Sequence, residues 1–184
     1  VADVTVITPS LPERAVMLAE AVASVNAQTH PPADHMIAVD HSGRGPALIR
    51  DQLLKVTRTE WVAFLDDDDL LDPDHLEVLL DLAQRERADV VYSWCRFEGP
   101  PLPAKYFNRR YQRETLRRHG IFPITVATRW SAIVDAGSFR ADERYEDWEL
   151  WNRMADQGAR FAWTDRITWT YRRGHACRTE GDAA

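Results

Sequence analysis

Apolar positions along the chain fall into two periods. Continuous apolar runs at VTVIT (4–8), HMIAVD (35–40), WVAFL (61–65) and DVVYSW (89–94) alternate with stretches whose apolar residues recur every three or four positions. Short unbroken runs are the pattern of strands buried on both faces of a parallel sheet. Between the first two runs, Ala15, Leu18, Ala19, Val22 and Val25 form a helical stripe suited to packing on such a sheet. After the third run, Asp72 is placed to cap a helix with Pro73 at its first position, and Leu76, Leu79, Leu80 and Ala83 supply its inner face. The first half therefore predicts β-α-β-α-β-α-β. Crossovers of this kind are right-handed, giving an open sheet that takes ligands at the carboxyl ends of its strands.

The second half is less regular. FEGPPLPAKYF reads as a loop, its proline-rich part at 99–103 a candidate lid, and NRRYQRETLRRHG as a basic, partly helical segment. A last helix is predicted over 146–157, with Trp148, Trp151 and Met154 or Ala155 along one side and Gly158 to stop it. Two short strands, RFAWT and ITWTYR, follow.

The length of 184 residues and 45% hydrophobic content suit one core, so we expect a single domain over 1–184. A net charge of −6 argues against a protein that coats a polyanion. No apolar run approaches the roughly 20 residues of a membrane span, and VADVTVITPS lacks the features of a secretory leader, so the expected location is cytoplasmic. Cys95 and Cys177 are far apart and form no metal-type pair, and both are read as free thiols.

Chemistry concentrates in FLDDDDLLDPDHL, where the third strand runs into four consecutive aspartates. Adjacent carboxylates repel unless a positive charge offsets them, and a divalent cation is the simplest remedy. Magnesium or manganese takes one or two protein carboxylates and completes its shell with water and substrate phosphates, which implicates a phosphorylated ligand. Strand alternation would turn Asp66 and Asp68 to one side and Asp67 to the other. The competing reading is a solvated loop whose aspartates cap the next helix.

Several segments, in order, resemble the family 2 glycosyltransferases. The opening 4–32 region with S-x-x-x-Q-T-x-P at 24–31, MIAVDHS, LIRDQLL, FLDDDDLLDPDHL, GSFRADERYEDWELWNRMADQG and YRRGH correspond to that family's strand, turn and motif elements. The resemblance implies a GT-A fold, an α/β open and mostly parallel sheet flanked by helices, with 1–95 as the nucleotide-sugar-binding half and 96–184 as the acceptor-binding and catalytic half. It implies metal-dependent, inverting transfer from a nucleotide diphosphate sugar, UDP-sugar by preference, to an acceptor hydroxyl. Thr8, Pro9, Ser10, Arg14, Asp40, Arg50, Asp66 and Asp67 would hold the donor, with Asp66 at the ribose and Arg50 reaching the base or diphosphate. Asp68 and His175 would ligate Mn2+ or Mg2+, Asp147 would be the general base, and Glu146 would support it or orient the acceptor.

Two features depart from the family pattern. Asp40 and Asp66 are 26 positions apart, where the family usually carries a further helix and strand, and His41 with SGRGPA replaces the usual acidic loop. SGRGPA reads as a tight turn, since it lacks a dinucleotide-binding fingerprint's third glycine and does not follow the first strand. The arginine-rich stretch 105–119 is either a solvated helix face or a contact for the donor diphosphate or for an anionic acceptor such as a nucleic acid or a phospholipid-linked sugar. The acceptor is open among glycan, lipid-linked sugar, protein, nucleic acid and small molecule, and a homodimer is suspected. The alternatives carried forward are a non-catalytic nucleotide-sugar-binding module and an aspartate-dependent phosphatase.

Overall fold

The computed structural model describes residues 2–100, 108–143 and 145–173. The strands are β1 (Val4–Ser10), β2 (Asp34–Val39), β3 (Trp61–Phe64), β4 (Leu70–Leu71), β5 (Val90–Glu98), β6 (Ala127–Arg129) and β7 (Phe161–Arg172). The helices are α1 (Ala15–Asn26), α2 (Pro46–Val56), α3 (His75–Glu86), α4 (Arg113–Arg118), α5 (Trp130–Asp135) and α6 (Glu146–Asp156). All seven strands join in one sheet of order β2-β1-β3-β6-β5-β7-β4. The long ladders β1–β2, β1–β3 and β5–β7 are parallel, whereas β6 lies antiparallel between β3 and β5, and β4 pairs antiparallel with β7. The result is the mostly parallel α/β sheet that the alternating pattern requires.

Burial explains the unbroken apolar runs. Every residue of β1 and β3 is buried, because helices cover both faces of the sheet. One core joins Val4, Val6, Trp61 and Ala63 to the inner side of α3, including Leu76, Leu79 and Ala83. The other joins Ile7, Val62, Phe64 and Tyr92 to Leu150, Trp151 and Met154 of α6. A fully buried leucine contributes roughly 1.5–3 kcal/mol relative to exposure, so these two layers dominate the stability of the sheet. Pro9 is tolerated in a central strand because it stands beyond Ile7, the last residue of β1 paired with β3.

Three local expectations are corrected. Asp72 does not cap α3: its carboxylate forms a two-pronged pair with Arg96 at 2.6 and 2.7 Å, and α3 begins at His75. A guanidinium across the sheet outcompetes the backbone amides of the next turn. RFAWT and ITWTYR form one twelve-residue strand, β7, whose exposed middle coincides with register shifts against β5 at Ser93, Trp94 and Cys95. The segment 127–135, for which no element was expected, supplies β6 and α5.

At the other end of the proline-rich loop, Asn108 sits at φ 58° and completes the β5 edge with its side chain. Its amide oxygen accepts from the Cys95 N–H, and its amide nitrogen donates to the Cys95 carbonyl, each at 2.8 Å. Of the candidate lid at 99–103, residues 101–103 lie outside the described residues, as do Lys105, Tyr106 and Phe107. Among the described residues, no helix is long and apolar enough to cross a membrane.

Candidate active site

The acidic cluster follows β3, whose last residue is Phe64; Asp66–Asp69 form a turn closed by the Asp69 N–H donating to the Asp66 carbonyl at 3.2 Å. Strand alternation therefore does not govern these side chains, and the expected separation of Asp67 from Asp66 and Asp68 is not what is found. Asp67 and Asp68 share one partner instead: Arg14 Nη1 donates to Asp67 Oδ1 and to Asp68 Oδ2, both at 2.9 Å. Ser10 Oγ donates to Asp67 Oδ2 at 2.7 Å, and the Leu11 N–H reaches the same oxygen at 3.4 Å. The carboxyl end of β1 and the turn after β3 are thereby tied together, as expected for a site at the strand ends.

Asp66 turns the other way, toward Arg50 of α2. Arg50 is 2% exposed and also donates from Nη1 to Glu146 Oε1 at 2.9 Å. One buried guanidinium thus joins the turn after β3 to the first residue of α6, where Asp147 lies next in sequence. Five carboxylates, Asp66 to Asp68 with Glu146 and Asp147, are gathered around Arg14 and Arg50, and a sixth, Asp69, lies beside Arg172. Asp72 and Asp74 leave this group and pair with Arg96 and Arg166.

The electrostatics are those of a site short of positive charge. Burial raises the Asp66 pKa to about 6; Arg50 opposes the rise, and Asp68, Asp67 and Glu146 reinforce it. Burial, with Asp68 and Asp66 nearby, lifts Asp69 well above the carboxylate range, although the Arg172 N–H donates to its Oδ1 at 3.0 Å. Asp147 is raised to about 6, first by burial and then by Glu146, while the Trp148 N–H hydrogen bond opposes the shift at 2.7 Å. Burial alone would weaken the charge of Arg50, but Asp66, Glu146 and Asp147 outweigh it and hold the group cationic.

The remaining expected donor residues divide. Asp40 is 5% exposed and accepts from the Ser42 and Gly45 N–H groups at 3.1 and 2.8 Å, which holds its carboxyl below the usual range. This is the tight turn expected of SGRGPA, with Gly43 and Gly45 at φ 65° and 88°. Thr8 Oγ1 lies 3.0 Å from His35 Nε2, so it is engaged with β2. Pro9 follows it in β1. His175 lies outside the described residues. Among the described residues, no three His, Cys, Asp or Glu side chains form a ready metal cage. An open site that finishes its shell with ligand oxygens needs no such cage, and the crowded anions around Asp68 fit a divalent cation.

The arginine-rich stretch contributes to packing. Arg113 and Arg117 both pair with Asp156 of α6, and Arg113 donates to Asn152 Oδ1 at 2.8 Å. Sequence reasoning also missed a set of ties behind the acidic turn. The Ser24 hydroxyl accepts from the Leu71 N–H at 3.2 Å, Gln28 bridges the Asp72 carbonyl and the Leu76 N–H at 2.8 and 3.0 Å, and the Thr29 N–H donates to the Pro73 carbonyl at 2.7 Å. The S-x-x-x-Q-T spacing was a signal for them, because it puts Ser24 and Gln28 one helical turn apart on α1.

Comparison with known proteins agrees with this fold. Three solved structures superpose on nearly the whole chain. Residues 1–349 of S. aureus TarS in complex with UDP-GlcNAc give a TM-score of 0.80 at 15% identity, covering 99% of this chain and 62% of that one. A longer S. aureus TarS structure gives 0.75 at 14% identity, covering 93% and 37%. The mannosyltransferase PcManGT from Pyrobaculum calidifontis, in complex with GDP-Man and Mn2+, gives 0.69 at 16% identity, covering 98% and 61%. The chain thus spans between about a third and two thirds of the length of these structures. No curated protein matches its sequence. The sequence pattern described as "Glycosyl transferase family 2" matches residues 37–151, a span that takes in Asp40, Arg50, the acidic turn and the Glu146–Asp147 pair, and the chain belongs to that family.

Proposed function

We propose that the chain is the catalytic domain of a metal-dependent, inverting glycosyltransferase that uses a nucleotide diphosphate sugar, with UDP-sugar the preferred donor. The observation that carries this reading is the convergence of the acidic turn and the Glu146–Asp147 pair on Arg50, from segments 80 positions apart. Donor-side and acceptor-side carboxylates are then held on one guanidinium. That the neighbours are bound to UDP-GlcNAc in one case and to GDP-Man with Mn2+ in another supports a donor of this class.

In this reading Ser10, Arg14 and Asp67 shape the floor beneath the diphosphate, Asp66 accepts the ribose hydroxyl, and Asp40 borders the base. Asp68 would hold Mn2+ or Mg2+, His175 joining it, and the ion's contribution is to offset charge on the departing diphosphate. Asp147 is the base: the acceptor hydroxyl gives its proton to this carboxylate while the acceptor oxygen bonds to the anomeric carbon. The bond from that carbon to the β-phosphate oxygen breaks, and its electron pair leaves with the nucleoside diphosphate. A single in-line displacement inverts the anomeric centre.

The test is thermal unfolding with UDP, GDP, TDP and CDP, each with Mn2+, Mg2+ or chelator. A ligand at a hundredfold its dissociation constant adds about 2.7 kcal/mol, enough to raise the midpoint by a few degrees. Stabilisation by one diphosphate only with metal is expected, and it should disappear in Asp68→Ala; no response to any diphosphate rejects the proposal. Asp147→Asn should retain donor binding and lose transfer. A non-catalytic binding module would instead show donor binding and no turnover in the unaltered chain.

A further inference from the structure

Arg50 was expected to touch the donor base or diphosphate, but its surroundings suit a different task. The side chain leaves the second turn of α2 and is enclosed, 2% exposed. One terminal nitrogen donates to Asp66 and the other to Glu146, the latter at 2.9 Å. The face of the guanidinium lies 5.8 Å from the ring centre of Phe139, which closes a further direction of approach. Nε is buried without a partner among the described residues. Each terminal nitrogen keeps a second N–H, but at 2% exposure the guanidinium presents almost no surface to an incoming diphosphate unless a carboxylate is displaced, and breaking a buried pair to leave an unmatched charge is costly.

We infer that Arg50 is a positioning residue that sets the separation of the donor-side Asp66 from the acceptor-side start of α6, and so places Asp147 relative to the bound donor, without itself touching the donor. This inference rests on the glycosyltransferase reading. Geometry makes arginine the residue for the task. A planar fork can hold two carboxylates at a fixed angle, whereas a lysine ammonium, a point charge on a flexible stem, leaves that angle free. The two carboxylates sit 16 and 96 positions from Arg50, so local chain geometry cannot replace the bridge. A shift of about 1 Å between reacting groups costs on the order of a hundredfold in rate.

The experiment compares the unaltered chain with Arg50→Lys and Arg50→Met. Two readings are taken: release of UDP from UDP-GlcNAc and of GDP from GDP-Man to water with Mn2+, and backbone hydrogen exchange without ligand. The expected result is a loss of about a hundredfold in kcat in both variants, with donor KM changed by less than about threefold. Faster exchange should appear together at the Asp69 N–H of the acidic turn and in the first turn of α6. A tenfold rise in donor KM at unchanged kcat would overturn the inference and return Arg50 to the donor contact set. Unchanged exchange at both places would overturn it as well. If the unaltered chain releases neither nucleotide, the donor reading fails by itself, and the exchange data still decide whether Arg50 joins the two segments.

Discussion

His75 provides a direct test of how this fold meets acid. Its ring is 1% exposed at the start of α3, Nδ1 lies 2.7 Å from Thr168 Oγ1, and that hydroxyl is 2.6 Å from Ser93 Oγ. Burial lowers its pKa from the usual 6.5 to about 4, against the weaker opposing effects of Thr168 and Asp72. In the unfolded chain the ring takes a proton near pH 6.5, while in the folded chain it stays neutral until about pH 4. The unfolded state therefore binds more protons throughout that window, and stability is lost as pH falls through it. For those two pKa values, linkage gives a loss of about 2 kcal/mol between pH 7 and pH 5 from this residue alone. The assay is urea unfolding of the unaltered chain and of His75→Gln at pH 7, 6 and 5. Raised carboxylates elsewhere titrate in both proteins and cancel in the difference. His75→Gln should be the less stable protein at pH 7, and the gap should shrink by about 2 kcal/mol by pH 5. A gap constant to within about 0.5 kcal/mol would show that the ring titrates alike in both states and would refute the argument.

Two more outcomes follow from single features. Gly99 has φ 101°, and a Cβ there would meet the Arg173 carbonyl oxygen at 2.5 Å, whereas Gly43, at φ 65°, has open space. Gly43→Ala should cost about 1 kcal/mol in urea unfolding and Gly99→Ala clearly more; equal costs would mean that the β5–β7 end gives way freely. Asp147, raised to about 6 by burial and Glu146, must be ionised to act as a base, so the transfer rate should climb with pH through about 6. Glu146→Gln should move that midpoint toward acid, as read from kcat against pH.

The parts of the fold that were legible in sequence are those whose stabilisation is local or periodic. Buried strands showed themselves as unbroken apolar runs, and α6 by its spaced Trp148, Trp151 and Met154. Where a distant partner decides the conformation, the sequence was silent. Three residues, Ala127–Arg129, form β6 only because β3 and β5 offer open edges on either side. Asp165 and Arg166 read as a break between two strands, because a bulged register lets polar residues occupy the middle of β7. Asp72 read as a helix cap because Arg96 is invisible at a separation of 24. In the site, the residue types and their order could be seen, but their pairing could not. Arg14 between Asp67 and Asp68, and Arg50 between Asp66 and Glu146, are tertiary facts.

The S-x-x-x-Q-T spacing shows how a pattern becomes legible once its mechanics are known. Gln28 is 5% exposed, and its amide does three things: Nε2 donates to the Asp72 and Ser24 carbonyls at 2.8 and 3.1 Å, and Oε1 accepts from the Leu76 N–H at 3.0 Å. Only a side chain carrying both a donor and an acceptor at that reach satisfies all of them. Gln28→Glu, nearly identical in shape, keeps the acceptor and presents an anion to two carbonyl oxygens. Gln28→Ala leaves the same backbone groups without partners but adds no charge. A buried group left unsatisfied costs about 1–3 kcal/mol, more when a charge is involved, so Gln28→Glu should be the less stable variant at pH 7.5. Lowering the pH should recover part of its loss, because a protonated glutamate regains one donor. The segment that Gln28 holds, from Asp72 to Leu76, directly follows the acidic turn. The metal-dependent nucleotide binding proposed above should therefore weaken in both variants even though Gln28 lies behind the site. If Gln28→Glu unfolds in urea within about 0.5 kcal/mol of the unaltered chain, the three hydrogen bonds do not hold the turn. The spacing would then need another explanation.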